Sequence, residues 1–254
     1  MTATIEQVEH FWDARPCNIR HGTAPAGTLE WSEQVTARKY FVEPHIPMFA
    51  QFNRWSGKRV LEIGCGIGTD SVEFLRAGAE LDALDVSAAS LNLAQQRAAL
   101  HGVARGARFR KADAEAWLPD GPFDLVYSFG VLHHTPHPDR VLRGARARMK
   151  PDGELRIMLY AKWSIKNLLG QQPEAQANCP IAEKYTKKEV RRLVESCGFG
   201  VTSIAKTHIF PYRIADYVQH RYVKEWPYSW MGKRLFSWLE RRLGWHLLII
   251  AKPN

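Results

Sequence analysis

Glycines alternate with other residues in the segment 60–70, which reads VLEIGCGIGTD. An apolar run ends at Gly64, and a helix-like pattern begins directly after Gly68. Glycine lets a ligand approach the backbone closely, and the first amides of a helix lack intrahelical partners. Thr69 stands where a dinucleotide fingerprint has its third glycine, and the segment contains no Gly-Lys-Ser/Thr. The segment therefore predicts a ligand-binding turn that is neither an NAD fingerprint nor a phosphate-binding loop.

Alternating strand-like and helix-like patterns flank this turn and predict parallel βαβ units. The predicted strands are 59–63, 80–85, 107–112, 123–129 and 153–160, and the predicted helices lie near 69–77, 87–101 and 138–149. Pro151 and Gly153 are expected to form the turn that leads into the fifth strand. Beyond the core, Thr186 and Glu189 form a capping-box signature for a helix that ends near Cys197. Two further strands are predicted near 199–208 and at 245–251.

The positions of the glycine, proline and helix-capping residues between the predicted elements indicate a single domain over residues 1–254. Its parts are an N-terminal cap (1–57), a ligand-binding core (58–160) and a C-terminal half (161–254) that contains a cap insertion (209–243). In the insertion, a helix is predicted over 230–243, with one apolar stripe that we expect to pack on the protein core. The members of that stripe are Met231, Leu235, Trp238, Leu239 and Arg242.

The amino-acid composition, the cysteine spacing and the net charge limit the classes of protein to which this chain can belong. Hydrophobic residues make up 45% and charged residues 24% of the 254 residues, which is typical of a soluble globular protein. The four cysteines are widely spaced, so they indicate neither a disulfide framework nor a zinc site and fit a cytoplasmic location. We recognise no signal peptide and no membrane span. The net charge of +9 is compatible with nucleic acid, an anionic membrane or a small anionic substrate, and no Lys/Arg run exceeds two residues.

Several motifs occur in the order typical of one enzyme family. VLEIGCGIGTD is followed by Asp85 at the end of the second strand, by Asp113 in KADAEAW, by FDLVYSFGVLHH, and by MKPDGELRIML. Over residues 58–160 this series resembles the class I S-adenosylmethionine-dependent methyltransferases of the small-molecule type. The resemblance implies an α/β, Rossmann-like fold: a seven-stranded, mostly parallel sheet with helices on both faces and an antiparallel last strand. It also implies that the cofactor is S-adenosylmethionine.

The resemblance assigns a partner to each part of this cofactor. The acid at position 85 would accept hydrogen bonds from both ribose hydroxyls, and the acid at position 113 would hold the adenine amino group. The acid at position 62 and the glycine turn would hold the methionine end. The predicted cofactor-binding residues are Glu62, Gly64, Cys65, Gly66, Gly68, Asp85, Asp113 and Ala114.

His133 and His134 follow the fourth strand, where members of this family place groups that face the acceptor. Methyl transfer is an in-line displacement, so positioning supplies much of the acceleration, and a base helps when the acceptor is a hydroxyl. A histidine with a pKa near 6.5 suits that role, although the pair could instead only shape its loop. No metal is expected, because the two histidines replace the acid of the metal-dependent catechol-type enzymes. A zinc site formed with His137 would lack a cysteine or carboxylate partner.

Aromatic and cationic residues outside the core could hold a polar or anionic acceptor, although ordinary packing explains any one of them as well. The predicted acceptor-binding residues are Arg20, His21, Tyr40, His208, Tyr212 and Arg213. The leading hypothesis is therefore methyl transfer from S-adenosylmethionine to oxygen or nitrogen of a small molecule, without a metal. The oligomeric state stays open.

Three alternative functions remain open. A lipid or quinone-type acceptor at a membrane surface is favoured by the aromatic and basic segment 226–243 and by resemblance to ubiquinone-biosynthesis enzymes. A non-catalytic module that only binds the cofactor is compatible with the same motifs. Methylation of nucleic acid fits the positive charge, but the Asn/Asp-Pro-Pro-Tyr/Phe signature is absent after the fourth strand.

Overall fold

Seven apolar or alternating segments form one β-sheet. The computed structural model describes residues 3–169 and 178–254. The strands are Arg59–Ile63 (β1), Glu80–Asp85 (β2), Ala107–Lys111 (β3), Phe123–Phe129 (β4), Met149–Tyr160 (β5), Phe199–Thr207 (β6) and His246–Pro253 (β7). The helices are Ile5–Ala14 (α1), Leu29–Val42 (α2), His45–Ala50 (α3), Thr69–Arg76 (α4), Ala88–Leu100 (α5), Pro138–Ala147 (α6), Ile165–Leu168 (α7), Lys187–Ser196 (α8), Ile214–Tyr217 (α9) and Lys233–Leu243 (α10).

The strand order in the sheet is β3-β2-β1-β4-β5-β7-β6. Strands β1 to β5 pair in parallel, and β7 pairs antiparallel with both β5 and β6. This architecture confirms the predicted fold class. Strands β2 and β3 are added on one side of β1, and β4 and β5 are added on its other side. The topological switch point of the sheet therefore lies between β1 and β4. Ligands of open α/β sheets bind at the carboxyl ends of the strands beside such a point.

Each face of the sheet carries its own hydrophobic core. In β1, Leu61 and Ile63 belong to the layer covered by α6 and α8, whereas Val60 belongs to the layer covered by α4 and α5. All three are buried, as parallel strands covered on both faces require. Glu62 lies between Leu61 and Ile63 and therefore projects toward the α4 side. The alternation of β1 thus places a carboxylate within an otherwise apolar layer.

The fifth strand begins earlier than the sequence predicts. Met149 already pairs with Phe123, and the register then shifts so that Glu154 pairs with Leu125. The predicted turn residues 151 and 153 therefore lie inside the strand, at this irregularity, rather than before it. These residues interrupt the regular backbone pairing, as predicted, but β5 pairs with β4 both before and after them.

The predicted packing stripe of α10 is wrong for three of its five members. Leu235 and Trp238 are 55% and 49% exposed and Arg242 is also exposed, whereas Leu239 is half-buried together with Phe236, Glu240 and Leu243. Phe236 packs edge-on against Tyr228 at 5.9 Å, and Glu240 Oε1 accepts a hydrogen bond from the Ile209 amide at 3.3 Å. The packed face of α10 is thus rotated from the predicted stripe toward Phe236 and Leu243, and it includes Glu240, which accepts a hydrogen bond from a backbone amide.

Contacts within both terminal parts place the caps near the sheet edge. In α1, Asp13 Oδ1 accepts hydrogen bonds from the Ala89 amide and the Ser87 hydroxyl, at the start of α5. The Tyr217 hydroxyl of α9 lies 3.0 Å from His21 Nε2, which joins the insertion to the N-terminal part. None of the helices in the described part of the chain combines the length and apolar character that crossing a bilayer requires.

Candidate cofactor and acceptor site

The glycine turn between β1 and α4 leaves open space at one position only. Gly64, Gly66 and Gly68 have φ angles of 76°, 53° and 75°. A β-carbon at Gly64 would lie 2.2 Å from a Val131 methyl, and one at Gly68 would lie 2.8 Å from Ala94, so these two glycines permit close packing. A β-carbon at Gly66 would meet nothing within 4 Å. Gly66 is therefore the glycine at which a ligand can approach the backbone.

The amides of this turn hold the turn itself. The N–H groups of Gly64 and Cys65 donate to the Leu84 carbonyl at 2.7 and 2.9 Å, and the Gly66 N–H donates to Asp85 Oδ2 at 2.8 Å. The Gly68 N–H donates to the Cys65 carbonyl at 2.9 Å. The sequence predicts free amides at the start of α4, beyond Gly68, whereas these four amides of the turn are bonded within the protein. Their hydrogen bonds instead fix the turn against the end of β2.

Asp85 links the glycine turn to the start of α5. Its Oδ2 accepts from Gly66, and its Oδ1 accepts from the Ser87 amide at 2.9 Å. Burial raises the pKa of Asp85, while the backbone donors oppose that shift. An ionised carboxylate has about two acceptor sites on each oxygen, so both oxygens can still accept from a diol. This geometry fits the ribose of the expected cofactor.

Two acids lie beneath the turn, and one of them lacks a cationic partner. Asp70 accepts hydrogen bonds from Lys39 at 2.8 Å, Tyr40 at 3.0 Å and Tyr127 at 2.8 Å. Glu62 is 3% exposed, and it accepts a hydrogen bond from the Ser71 hydroxyl at 2.5 Å. Burial, followed by the nearby charge of Asp70, raises the pKa of Glu62 to about 8. A bound ammonium group would relieve this excess of negative charge, which fits the methionine end of S-adenosylmethionine.

Asp113 and Ala114 follow β3 and therefore lie at the same edge of the sheet as Asp85. Both are half-buried, and Asp113 Oδ1 accepts from the Glu115 amide at 2.9 Å. Burial raises the pKa of Asp113. This hydrogen bond leaves its second oxygen, Oδ2, for an adenine amino group. The order β3-β2-β1 thus aligns the acid after β3, the acid of β2 and the glycine turn in the sequence that an extended nucleoside requires.

The structure separates the roles of the two histidines. His133 is fully buried, its ring lies 3.6 Å from the Tyr160 ring, and no described residue hydrogen-bonds to either ring nitrogen. Burial lowers its pKa well below the usual value. His134 has a pKa lowered to about 4 by burial, and its Nδ1 lies 2.5 Å from the Ile181 carbonyl and 3.3 Å from Cys179 Sγ. Both ring nitrogens of His133 thus lack a partner among the described residues, whereas Nδ1 of His134 is engaged.

A buried guanidinium lies between the N-terminal cap and the insertion. Arg38 is 6% exposed, and its carbon Cζ lies 4.1 Å from the centroid of the Tyr217 ring. One terminal nitrogen donates to the Tyr217 carbonyl, while Nε and the other terminal nitrogen have no partner among the described residues. Burial and the charge of Arg38 lower the pKa of the neighbouring His21 to about 3. Buried donors without partners are costly, so this position is suited to an anionic ligand.

The other predicted acceptor-binding residues lie in different surroundings. Tyr40 belongs to the Asp70 network on the cofactor side. Tyr212 stacks on Phe41 at 6.1 Å, and Arg20 and Arg213 are exposed. These positions give the two arginines no contact with the acidic core of the site.

Sequence reasoning missed a group of ligating side chains on the acceptor side of the sheet edge. His45 Nε2 lies 3.0 Å from His246 Nδ1, and Glu43 Oε1 lies 3.7 Å from the same atom. The ring of Phe129, the last residue of β4, lies 5.9 Å from His45 and 5.6 Å from His246. His208, a predicted acceptor residue with φ 70°, stacks on His246 at 4.5 Å. Only the Glu-Pro-His spacing of Glu43 and His45 offered a local signal.

The fold and the acid-glycine site together define an α/β enzyme that binds an adenosyl cofactor at the carboxyl ends of its central strands. The chain belongs to the methyltransferase domain family, whose model matches residues 55–198, more than half of the chain. It is a class I S-adenosylmethionine-dependent methyltransferase, which confirms the predicted family and cofactor.

A curated relative is the ubiquinone biosynthesis O-methyltransferase of Bordetella avium, 29% identical over 140 residues, or 54% of this chain and 53% of the relative. The chain spans about half the length of the ubiquinone O-methyltransferases that it matches. A solved magnesium protoporphyrin IX methyltransferase from Synechocystis, with bound SAH, has a TM-score of 0.64 at 15% identity, over 98% of this chain and 100% of that one. A [4+2]-cyclase, SpnF, gives 0.65 at 18% identity, over 100% and 97%. The fold alone therefore does not determine the reaction.

Proposed function

We propose that this chain transfers a methyl group from S-adenosylmethionine to an oxygen or nitrogen atom of a small anionic molecule in the cytoplasm. The relatives named as O-methyltransferases favour oxygen. The unpartnered guanidinium of Arg38, buried between the two caps, is the observation that supports an anionic acceptor. The sequence lacks the Asn/Asp-Pro-Pro-Tyr/Phe signature after the fourth strand that would favour a nucleic-acid acceptor.

The cofactor would be held by residues at three adjacent strand ends. The carboxylate of Glu62 would bind the ammonium group, Asp85 would accept from the ribose hydroxyls, and Asp113 would accept from the adenine amino group. The bare backbone at Gly66 would allow the closest approach. When bound, S-adenosylmethionine supplies a methyl group that its sulfonium already activates. The chain's own task is then to orient the acceptor in line with that methyl group and to exclude water.

His133 would complete the reacting end. Since burial lowers the pKa of its imidazole well below 6.5, the ring is neutral near pH 7 and can accept a hydrogen bond from an acceptor hydroxyl. Its two ring nitrogens have no partner within the described chain, so an acceptor would satisfy a buried polar group. His134 would hold the loop through its bond to Ile181.

The test uses Arg38→Met, which keeps a long side chain and removes the charge. A panel of small carboxylates, phosphates and uncharged phenols and amines is scored for production of S-adenosylhomocysteine. We expect activity with anionic members and a rise of KM for them by at least about tenfold in the variant, since bonds to charged groups contribute about 1.5–3 kcal/mol. Arg105→Met is the matched control, because Arg105 is an exposed arginine outside every predicted site. Equal KM values in the Arg38 variant and the control would reject an anionic acceptor at this position.

A second candidate function, methylation of a lipid or quinone-type acceptor at a membrane surface, is favoured by one surface. Trp226, Trp230 and Trp238 are 75%, 86% and 49% exposed, and Leu235 is 55% exposed. Exposed basic residues of α10 flank them: Lys233, Arg234, Arg241 and Arg242. Aromatic side chains beside basic residues are typical of surfaces that lie on anionic bilayers.

Co-sedimentation with vesicles of anionic and of zwitterionic phospholipid separates the two candidates. A membrane-surface enzyme would bind the anionic vesicles, and replacing Trp226 and Trp230 by Ser would abolish that binding. Trp117→Ser is the matched control, because Trp117 is also exposed, at 41%, but lies outside the insertion. Absence of binding to anionic vesicles at low salt would leave the small-molecule acceptor as the only candidate.

A further inference from the structure

The imidazole and carboxylate group on the acceptor side has the composition of a metal site. Glu43 directly follows α2 as its C-cap, His45 begins α3 one residue beyond Pro44, and His246 begins β7. One ligand atom from each of the three residues lies within 4.8 Å of the others. Two imidazoles and a carboxylate form a recurrent ligand set for catalytic zinc and for other first-row divalent ions.

The distances approach those of a coordinated ion without rearrangement of the backbone. Ligand atoms about 2.0–2.1 Å from a tetrahedral ion lie roughly 3.4 Å from one another. His45 Nε2 and His246 Nδ1 are 3.0 Å apart, and Glu43 Oε1 is 3.7 Å from His246 Nδ1, so the observed values bracket that separation. The two histidines are 7% and 4% exposed, which keeps bulk water from competing for their nitrogens.

Neighbouring aromatic rings hold these side chains in place, and nearby lysine side chains compete with a metal ion for the charge of Glu43. His208 stacks on His246, and the Phe129 ring lies against both histidines. Of the cations close enough to act on Glu43, Lys39 is already bonded to Asp70. Lys166 is the other, and its Nζ lies 4.2 Å from the Trp245 ring. A divalent ion would therefore compete with Lys166, which has no ion pair of its own among the described residues, for the charge of Glu43.

We infer that Glu43, His45 and His246 form a binding site for a divalent transition-metal ion beside the acceptor end of β4. Three protein ligands leave at least one coordination position for another molecule. If the proposed function holds, that position takes the acceptor oxygen and favours its ionised form. The inference replaces the expectation that the enzyme works without a metal, and metal binding itself does not depend on the proposed function.

The experiment titrates the metal-free full-length protein with Co²⁺ and follows visible absorption, with Zn²⁺ competition and elemental analysis. We expect about one ion per chain and displacement by Zn²⁺, because zinc sites of this type accept cobalt in the same geometry. Glu43→Gln and His45→Gln should each weaken binding by at least about tenfold, the usual scale for disturbing such a site. Lys166→Met should strengthen binding, because it removes the competing charge.

His137→Gln serves as the matched control, since His137 is an exposed histidine outside the group. Affinity for S-adenosylhomocysteine and the thermal midpoint, measured on every variant, show whether it has folded. The inference is overturned if folded wild-type protein binds no Co²⁺, or if the Glu43 and His45 variants bind it as the control does. If folded wild-type protein does not bind S-adenosylhomocysteine, the proposed function is rejected, and the result of the Co²⁺ titration is unaffected.

Discussion

Comparing Gly66→Ala with Gly102→Ala distinguishes the effect of a lost ligand contact from the effect of backbone strain. Gly66 and Gly102 have φ angles of 53° and 70°, and a β-carbon at either position meets nothing within 4 Å. Alanine in this left-handed region costs about 1–2 kcal/mol, so Gly66→Ala and Gly102→Ala should lose similar folding stability. Gly102 follows α5, away from the acids of the site, and is therefore a control for strain alone.

Cofactor affinity should distinguish the two variants. A methyl group forced into space that a ligand fills costs about 1–3 kcal/mol, which corresponds to a loss of roughly 5- to 150-fold in affinity. We expect this loss for Gly66→Ala and an unchanged dissociation constant for Gly102→Ala, measured by calorimetry with S-adenosylhomocysteine. Thermal unfolding without ligand checks that both variants are equally destabilised. Equal affinities in the two variants would refute the reasoning, because the open space at Gly66 would then not be the cofactor's.

The geometry of the site leads to four further expected outcomes. Asp85→Asn should keep its bonds to the turn partly intact yet weaken cofactor binding at least about tenfold, and unchanged calorimetric affinity would exclude the ribose role. Because the pKa of Glu62 is raised to about 8, affinity should rise with pH between 6 and 8, whereas Glu62→Gln should give a flat profile. Over the same range the raised pKa means that the folded protein binds more protons than the unfolded one, so ligand-free stability should fall as pH rises. His133→Phe should lower kcat for a hydroxyl acceptor about 100-fold with cofactor affinity intact, and full turnover would leave His133 only a packing role.

Local patterns carried most of what the sequence could predict. The strand, turn and helix around Gly66 are adjacent in the chain, and the capping boxes are formed within four residues, as at Thr186. Their geometry follows from short-range backbone chemistry, so motif and structure agree. The α10 helix shows the limit: the sequence predicts one apolar stripe, whereas the packed face includes Glu240, which accepts a hydrogen bond from the Ile209 amide 31 residues away in the chain.

The acceptor side depends on contacts that no local pattern contains. His45 and His246 are 201 residues apart, and Arg38 and Tyr217 are 179 apart. The sheet order brings the start of β7 beside the end of β5, and α2 and α3 then approach it from the N-terminal part. Such positions become visible only when the whole topology is known.

A crystal structure of the chain with S-adenosylhomocysteine is the decisive test of the cofactor site. Both ribose hydroxyls are expected within about 2.5–3.0 Å of the Asp85 carboxylate. We also expect that the ligand's ammonium group lies on the Glu62 side and that the ligand is in van der Waals contact with Gly66. A ligand bound elsewhere, or one whose ribose makes no contact with Asp85, would contradict this site.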